Sequence, residues 1–293
     1  MRKGNSTVVL NIRKEIQKMN NKKLHYVTKI VQLNMERNDI SIFNEITECL
    51  FPLLKAFFTK HNVKNDHNHV HALAIASHAL RACEADKSLN ETQIRCIILT
   101  AFLHDVDDHK LFSSIDYENA RVILNSTKYC GDMDNIIEMI DLVGSSKHGD
   151  RMYGKEEWKF IPRYSDRLDA IGMMGIARTI VYTLDHSQSL YCDDTPRPRN
   201  LDELYEVATK ERYKSYNGNS KSMIDHCFDK MIHLGNFPIK NTYLNELSKT
   251  LTKDVIDMVL LFGNQGGITI DELKLFIKTR SPEVYLQMEI CKY

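Results

Sequence analysis

The chain has no excess of charge of either sign, because its 39 Lys and Arg residues equal its 39 Asp and Glu residues. A neutral balance provides no overall field that attracts nucleic acid or an anionic membrane surface. The chain also lacks the run of about 18 apolar residues that a membrane-spanning helix needs, and its first residues do not resemble a signal peptide. We therefore expect a soluble intracellular protein of the cytoplasm, with neither membrane nor nucleic acid as its partner.

Paired cysteines are also missing. The seven cysteines are scattered along the chain, and no two of them stand in a Cys-x-x-Cys arrangement. An odd number of widely separated thiols indicates neither a disulfide framework nor a thiolate zinc site. A metal site built on cysteine is therefore not expected.

Apolar residues, in contrast, recur at helical spacing through most of the chain and make up 43% of it, which is enough for a large core. The pattern predicts an all-α protein with a helical core over residues 41–265. Residues 1–40 are rich in Lys, Asn and Arg and are predicted to form an amino-terminal arm that is partly disordered. Residues 266–293 are predicted to form a carboxyl-terminal extension.

Three of the predicted helices carry candidate functional residues. A helix over 66–86, capped by Asp66, has an apolar stripe that includes His69. A helix over 91–104 ends at a His-Asp doublet. A third helix opens at a proline and spans 162–180.

The candidate functional residues are His69, the adjacent pair His104 and Asp105, and Asp166. Such groups are costly to bury among apolar helices unless they are paired or hold a cation. Two imidazoles and two carboxylates form a ligand set for a divalent metal ion. Because the residues are far apart in the chain, only the packing of three helices can bring them together. Taken singly, a histidine on an apolar face is more often a hydrogen-bonded core residue than a ligand.

The order of these residues is similar to a known signature. His69, Leu103–Val106 and Ser165–Ala170 resemble the H…HD…D pattern of the HD-domain metal-dependent phosphohydrolases. Further stretches resemble the bacterial YedJ-like branch of that superfamily: Asp166–Thr179, Ser145–Lys147, Pro196–Arg199 and His226–Met231. The resemblance extends from Leu53 to Phe262.

This resemblance implies an all-helical HD-domain bundle with one divalent ion bound by His69, His104, Asp105 and Asp166. The ligand set accepts Mn²⁺, Fe²⁺, Co²⁺, Ni²⁺, Zn²⁺ or Mg²⁺, and ligand type does not choose among them. Such an ion lowers the pKa of bound water toward about 7 and withdraws charge from a phosphoryl oxygen. The implied activity is hydrolysis of a phosphomonoester or phosphodiester, in a nucleotide or a small phosphorylated metabolite.

Asp105 and Asp169 are the predicted catalytic carboxylates. Asp169 follows Asp166 by three residues, so it projects from nearly the same helix face and could orient the water or accept its proton. A second interpretation makes Asp169 a hydrogen-bond partner of a ligating histidine or an ion-pair partner of Arg167.

Cationic groups are needed for the remaining phosphate charge, and motif position indicates Lys147, Lys110, Arg167 and Arg178. Lys147 is the first choice because it lies in Gly144–Gly149, whose small residues allow backbone amides to meet an anion. A solvated loop explains the same segment equally well. For the two arginines, structural ion pairs with nearby carboxylates are the stronger alternative.

Additional imidazoles hold a second metal in some HD enzymes, and His109 and His148 are the candidates for that role. Nothing in the spacing of these two residues brings them near the other ligands, so one ion is expected. Four further histidines are expected to be surface or capping residues: His61, His67, His71 and His78.

The sequence therefore predicts a metal-dependent phosphohydrolase, with two rivals. One rival is a regulatory or scaffolding module with weak or no catalysis, to which departures from the family pattern at Asn65, Ala72 and Tyr164 are relevant. The other rival is a nucleic-acid-binding protein, which the Lys-rich amino-terminal arm alone supports.

Overall fold

The computed structural model describes residues 38–63, 67–129, 132–144 and 151–290. These residues form helices and contain no strand, as the helical periodicity predicts. No helix among them is long and apolar enough to cross a membrane. The chain divides into two compact units, a first unit up to Asp141 and a second unit from Leu142.

The first unit is built around three mutually packed helices. Its helices are α1 (Asn38–Lys60), α2 (His69–Ala85), α3 (Glu91–Leu103), α4 (Glu118–Asn125) and α5 (Met133–Val143), the last of which runs across the boundary. Leu50 of α1, Ile75 of α2 and Ile97 of α3 are fully buried. Phe43 of α1 stacks on Phe102 of α3, with 6.1 Å between the ring centroids.

The helix α1 is continuous although it contains a proline. Apolar residues recur at helical spacing from Ile42 to Phe58, with Pro52 near the middle, and this pattern predicts one helix or two joined at a kink. The structure has one helix with Pro52 inside it. Proline removes a backbone hydrogen bond, but Pro52 lies on the exposed side while Leu50 and Leu54 are buried. Packing of the apolar side therefore holds the helix together across the missing bond.

The helix α2 begins later than predicted and is buried on more than one face. Its N-cap is Asn68, whose side chain accepts the Val70 backbone N–H at 2.8 Å; the predicted cap, Asp66, lies outside the described residues. All residues from 71 to 80 are buried, so the prediction of a single apolar stripe is wrong. A helix enclosed by its neighbours buries all sides, and its many alanines leave room for α1 and α3.

The burial of α2 corrects the expectation for two histidines. His71 and His78 were expected at the surface or in caps, but they are 5% and 2% exposed. Both belong to the enclosed part of α2, where a polar side chain must find a partner inside the protein.

The second unit is also helical. After a 3₁₀ turn at Glu157–Phe160 come α6 (Ile161–Asp169), α7 (Gly172–Asp185), α8 (Leu201–Val207), α9 (Lys210–Ser215), α10 (Met223–His226), a π turn (Cys227–Met231), α11 (Ile232–Leu234), α12 (Thr242–Gln265), α13 (Ile270–Arg280) and α14 (Pro282–Ile290). Its core includes Ile176, Phe228 and Phe262. Leu273 and Ile277 of α13 are buried in the same core, so much of the predicted carboxyl-terminal extension packs within this unit.

The predicted helix over 162–180 is wrong, because the structure divides it into α6 and α7. The break follows Asp169, and Gly172 has a φ of +66°, in the left-handed region that favours glycine. A Cβ atom at Gly172 would lie 2.6 Å from Leu251 Cδ2. The chain therefore turns where a glycine permits both the backbone angle and the close contact with α12.

Apolar spacing predicts a helix over Val255–Phe262 that stops at Gly263, but the helix α12 is longer and runs through Gly263. It ends at Gly266, which has a φ of +77° and donates its N–H to the Phe262 carbonyl. Gly263 lies against the backbone of the loop before α8: a Cβ atom there would lie 1.8 Å from the Pro198 carbonyl oxygen. Gly263 therefore does not end the helix; it allows the helix to pack closely against this loop.

An ionic network joins α9 to the segment around the π turn. Arg212 donates to Asp225 Oδ1 at 2.7 Å from Nη2 and to Asp229 Oδ1 from Nε. Asp225 is 3% exposed and also accepts the hydroxyls of Thr195 at 2.9 Å and Ser222 at 2.7 Å. Because each donor is matched by a carboxylate oxygen, this buried charge is satisfied.

His226 lies beside this network. The hydroxyls of Tyr216 and Ser220 are 3.4 and 3.5 Å from its Nδ1 atom. Burial, which is the largest cause, and the positive charge of Lys230 together lower the pKa of His226 to about 4, although the charge of Asp229 offsets part of the effect. The folded protein therefore holds this histidine in its neutral form.

Gly263→Ala is expected to lower the free energy of unfolding by about 1–3 kcal/mol, because the added methyl group meets the Pro198 carbonyl. An unobstructed change from Gly to Ala inside a helix is stabilising by about 1 kcal/mol, so the sign of the change reports the contact. Urea unfolding measures it, with Lys249→Ala on the exposed side of α12 as the control. A Gly263→Ala protein as stable as the wild type would contradict this packing.

His226→Gln is expected to reduce the pH dependence of stability. The unfolded chain binds a proton on His226 below its ordinary pKa of 6.5, whereas the folded chain binds it only near 4. The free energy of unfolding therefore falls as pH falls from 6.5 to 4, by at most about 1.4 kcal/mol per pH unit from this group. Chemical unfolding across that range should show a shallower slope for His226→Gln and an unchanged slope for His109→Gln, an exposed control. Equal slopes for wild type and His226→Gln would refute the assignment.

Candidate metal centre

The candidate centre is built at the carboxyl end of α3. This helix begins with a capping box in which Asn90 and Gln93 each accept the other's backbone N–H, at 3.0 and 2.9 Å. Most of α3 is buried, from Ile94 to Leu103. The helix therefore delivers the pair that follows it, His104 and Asp105, to the interior, where they are 8% and 7% exposed.

Three imidazoles surround one carboxylate oxygen, Asp105 Oδ2. His67 Nδ1 lies 2.9 Å from it, His104 Nε2 3.4 Å and His71 Nε2 3.6 Å. Potential ligand atoms of His67, His71 and Asp105 all lie within 4.8 Å of one another. The first unit therefore gathers nitrogen and oxygen donors at a single point; we call these four residues the histidine cluster.

The members of the histidine cluster differ in their access to solvent. The side chains of His71 and His104 are each 3% exposed, and that of Asp105 is 10% exposed. The His67 side chain, which precedes α2, is 33% exposed. The cluster is thus buried at His71 and His104 and reaches solvent at His67.

The hydrogen bond of His104 fixes which of its nitrogens faces the cluster. Nδ1 lies 2.9 Å from the Ala101 carbonyl oxygen, which can only accept, so Nδ1 carries the hydrogen. In a neutral imidazole, Nε2 then has its lone pair toward Asp105. This is the arrangement that metal-binding histidines commonly show, with the second ring nitrogen held by a backbone carbonyl.

The surroundings of Asp105 keep its carboxylate ionised. Burial raises the pKa, but the charge of His104, the hydrogen bond from His67 and the charge of His71 together outweigh burial and lower the pKa below its usual value. The ionised form is the one in which a carboxylate binds a metal.

The spacing of the cluster atoms fits a divalent ion. Two ligand atoms that are each about 2.0–2.2 Å from one ion lie about 2.8–3.6 Å apart at angles between octahedral and tetrahedral. The distance of 3.4 Å from His104 Nε2 to Asp105 Oδ2 is in this range, and the 3.6 Å from His71 Nε2 is at its upper limit. Imidazole and carboxylate donors without thiolate suit a transition metal or Mg²⁺.

His69, predicted as the first ligand, has a different environment. Its ring packs edge-on against Phe51 of α1, with 5.3 Å between the centroids. Residues two apart on a helix point about 200° away from each other, so His69 and His71 cannot present their rings in the same direction. The structure places His71, and not His69, beside the His-Asp doublet.

Asp166 lies in the second unit, half-buried on α6. Pro162 stands in the first turn of that helix, as the sequence predicts. The assignment of Asp166 as a ligand stays a prediction from the motif.

The proposed catalytic group Asp169 is bound to an arginine. Arg178 Nη1 donates to Asp169 Oδ2 at 2.8 Å, and the Asp169 side chain is 10% exposed. This ion pair matches the structural role that the sequence left open for Arg178. The guanidinium of Arg167 is buried and lies over the Tyr164 ring, 5.3 Å from its centroid.

Two of the remaining candidates, Lys110 and His109, lie in the turn after the His-Asp doublet. Lys110 is exposed, in the turn after the His-Asp doublet, where its backbone N–H donates to Asp108 Oδ1 at 2.9 Å. His109 is 78% exposed in the same turn. Lys147 and His148 lie outside the described residues.

Sequence reasoning missed two members of the histidine cluster, His67 and His71. A usable signal exists, because the two are four residues apart, which is one helical turn, and the second falls within a run of alanines. The spacing alone did not decide among His67, His69 and His71, since each stands near the start of α2. Only the way in which α2 packs against α3 determines that His71 lies beside Asp105.

The helical fold resembles that of a solved HD-superfamily hydrolase. A crystal structure of an HD-superfamily hydrolase from Bacillus thuringiensis is similar with a TM-score of 0.55, at 17% identity, over 76% of this chain and 98% of that one. A protein from Lactobacillus plantarum is similar with a TM-score of 0.52, at 19% identity, over 80% of this chain and 99% of that one. At such identities the likeness concerns the fold.

No model of a known protein family matches the chain. The uncharacterized protein L803 of Acanthamoeba polyphaga mimivirus is 36% identical over 247 residues, which are 78% of this chain and 99% of that protein. The chain belongs to the same family as this mimivirus protein.

Proposed function

We propose that the protein is a metal-dependent phosphohydrolase of the HD superfamily. The observation that carries the proposal is the histidine cluster, in which His67, His71 and His104 surround Asp105 Oδ2 within 3.6 Å. Imidazole nitrogens and a carboxylate oxygen gathered at one point form a ligand set for a divalent cation. The HD-type fold supports the same assignment by analogy.

The proposed ligands are His71, His104 and Asp105 from the first unit. Asp166 is added from the motif, in which it supplies the last carboxylate. His71 takes the place that the sequence gave to His69, because its Nε2 atom lies at the cluster. His67 donates a hydrogen bond to Asp105 and would hold the carboxylate in its orientation.

The chemistry of such a centre is hydrolytic. A divalent ion, when bound, lowers the pKa of a coordinated water and withdraws charge from a phosphoryl oxygen. The residues of this chain supply the rest: the His71 and His104 side chains are buried, and the partly exposed His67 leaves the cluster accessible to solvent. Asp105 is proposed both as a ligand and as a catalytic carboxylate. Asp169 is proposed as a proton acceptor, a role that requires its hydrogen bond with Arg178 to break.

The proposed substrate is a phosphomonoester or phosphodiester, in a nucleotide or a small phosphorylated metabolite. Lys110 is the proposed cationic contact among the described residues, because it is exposed and lies in the turn after Asp105. Lys147 remains proposed from the motif. Membership of the YedJ-like branch, action in the cytoplasm and a single bound ion are parts of the same proposal.

We expect purified protein to contain about one equivalent of divalent metal. His71→Ala and His104→Ala should each weaken Mn²⁺ binding by more than about 100-fold, since residues that only orient ligands already contribute about 10–100-fold. Elemental analysis and calorimetric titration with Mn²⁺ measure both quantities.

His69→Ala is the matched comparison, because it removes an imidazole from the same helix without touching the cluster. His109→Ala, at an exposed position, controls for the loss of a histidine in general. Protein that binds no Mn²⁺ after removal and readdition of metal would refute the proposal, and loss of binding in His69→Ala with retention in His71→Ala would reverse the ligand assignment.

A panel of nucleotides and simple phosphate esters, assayed with Mn²⁺, Mg²⁺, Co²⁺ and Ni²⁺, should show release of phosphate that depends on the metal. His104→Ala and Asp105→Ala should abolish the release, because each removes a proposed ligand, while His109→Ala should retain it. If the protein binds metal but hydrolyses none of these compounds, the regulatory or scaffolding interpretation replaces the enzymatic one.

A further inference from the structure

The turn after the His-Asp doublet is joined to the start of α4 by three hydrogen bonds. Asp107 accepts the backbone N–H of Asn119 at 3.1 Å with Oδ1 and that of Ala120 at 2.8 Å with Oδ2. In the opposite direction, the Asn119 side chain donates from Nδ2 to the Val106 carbonyl at 2.8 Å. The two segments, which are not adjacent in the chain, therefore hold each other in place.

Asp107 provides the cap that α4 does not provide for itself. The N-cap residue, Tyr117, makes no side-chain capping bond. The first N–H groups of a helix need acceptors from outside it, and a carboxylate is favoured there because the helix amino terminus carries partial positive charge. Asp107, in the turn after the His-Asp doublet, thus caps the amino terminus of α4.

The chain enters α4 through two strained residues. Asp116 and Tyr117 have φ angles of +51° and +57°, in the left-handed region that is unfavourable for residues with a side chain. The Tyr117 hydroxyl donates to Asp141 Oδ1 of α5. Strain of this kind persists where surrounding contacts over-determine the backbone, and it is concentrated near functional sites.

We propose that Asp107 and Asn119 are positioning residues that hold the Asp105 carboxylate among the imidazoles. Asp105 precedes the anchored residues Val106 and Asp107 directly, and its carbonyl accepts the N–H of Asp108 at 3.2 Å. The carboxylate of an aspartate is two rotatable bonds from its backbone, so anchoring the backbone restricts the oxygen atoms. This inference rests on the proposed metal centre and assigns a role to residues that bind no metal themselves.

The test measures the affinity of the wild type and the variants for Mn²⁺ alone by calorimetric titration, together with the stability of each metal-free protein. We expect Asn119→Ala and Asp107→Ala to weaken Mn²⁺ binding about 10- to 100-fold, the range found for groups that orient metal ligands. Asp107→Asn retains one acceptor oxygen and is expected to recover part of the affinity. It also serves as the milder variant if an alanine variant fails to fold.

Asn90→Ala is the matched control, because it removes the capping side chain of α3 in the same unit without altering the doublet turn. A purely structural role would reduce stability equally in all these variants and leave Mn²⁺ affinity the same in each. Unchanged affinity in Asn119→Ala and Asp107→Ala, or an equal loss in Asn90→Ala, would overturn the inference. If the wild-type protein binds no Mn²⁺, the proposed function itself is refuted. Failure of the inference and failure of the proposed function therefore give different results.

Discussion

The arrangement of the first unit depends on one constraint, the burial of the Asp105 carboxylate. A buried charge is unfavourable unless opposite charge or hydrogen bonds compensate it, and here three histidines do so within 3.6 Å. Each histidine reaches Asp105 from a different place: His67 from before α2, His71 from its first turn and His104 from the end of α3. The close packing of α2 on α3 is therefore what makes the carboxylate tolerable in the interior.

The packing of α2 follows from its composition. The segment from His71 to Leu80 contains alanines at four of its ten positions, so its neighbours can approach on several sides. All ten residues are buried, including His71 and His78. In the second unit, Gly263 likewise allows one close contact, because it has no side chain that would meet the Pro198 carbonyl. Small residues at these positions decide how near the helices and loops come.

The helical class and the His-Asp doublet were predictable, because both depend on information local in the chain. Apolar spacing identifies α3, and the doublet lies at its end, as the structure confirms. The break between α6 and α7 was not predictable from spacing, since apolar residues continue across it and only Gly172, with its left-handed φ, marks the turn. The extension of α12 beyond Gly263 was also not predicted. A glycine there suggests the end of a helix, but Gly263 serves close packing inside the helix.

The sequence by itself determined that the protein is helical and which types of side chain can form a metal centre. It also determined the family, through identity with the mimivirus protein over most of the chain. The tertiary structure decided which histidine near the start of α2 meets the doublet, and that Arg178 is the ion-pair partner of Asp169. The physical reason is that periodicity specifies the faces of a helix relative to one another, whereas the direction in which each face points is specified by contacts with other helices.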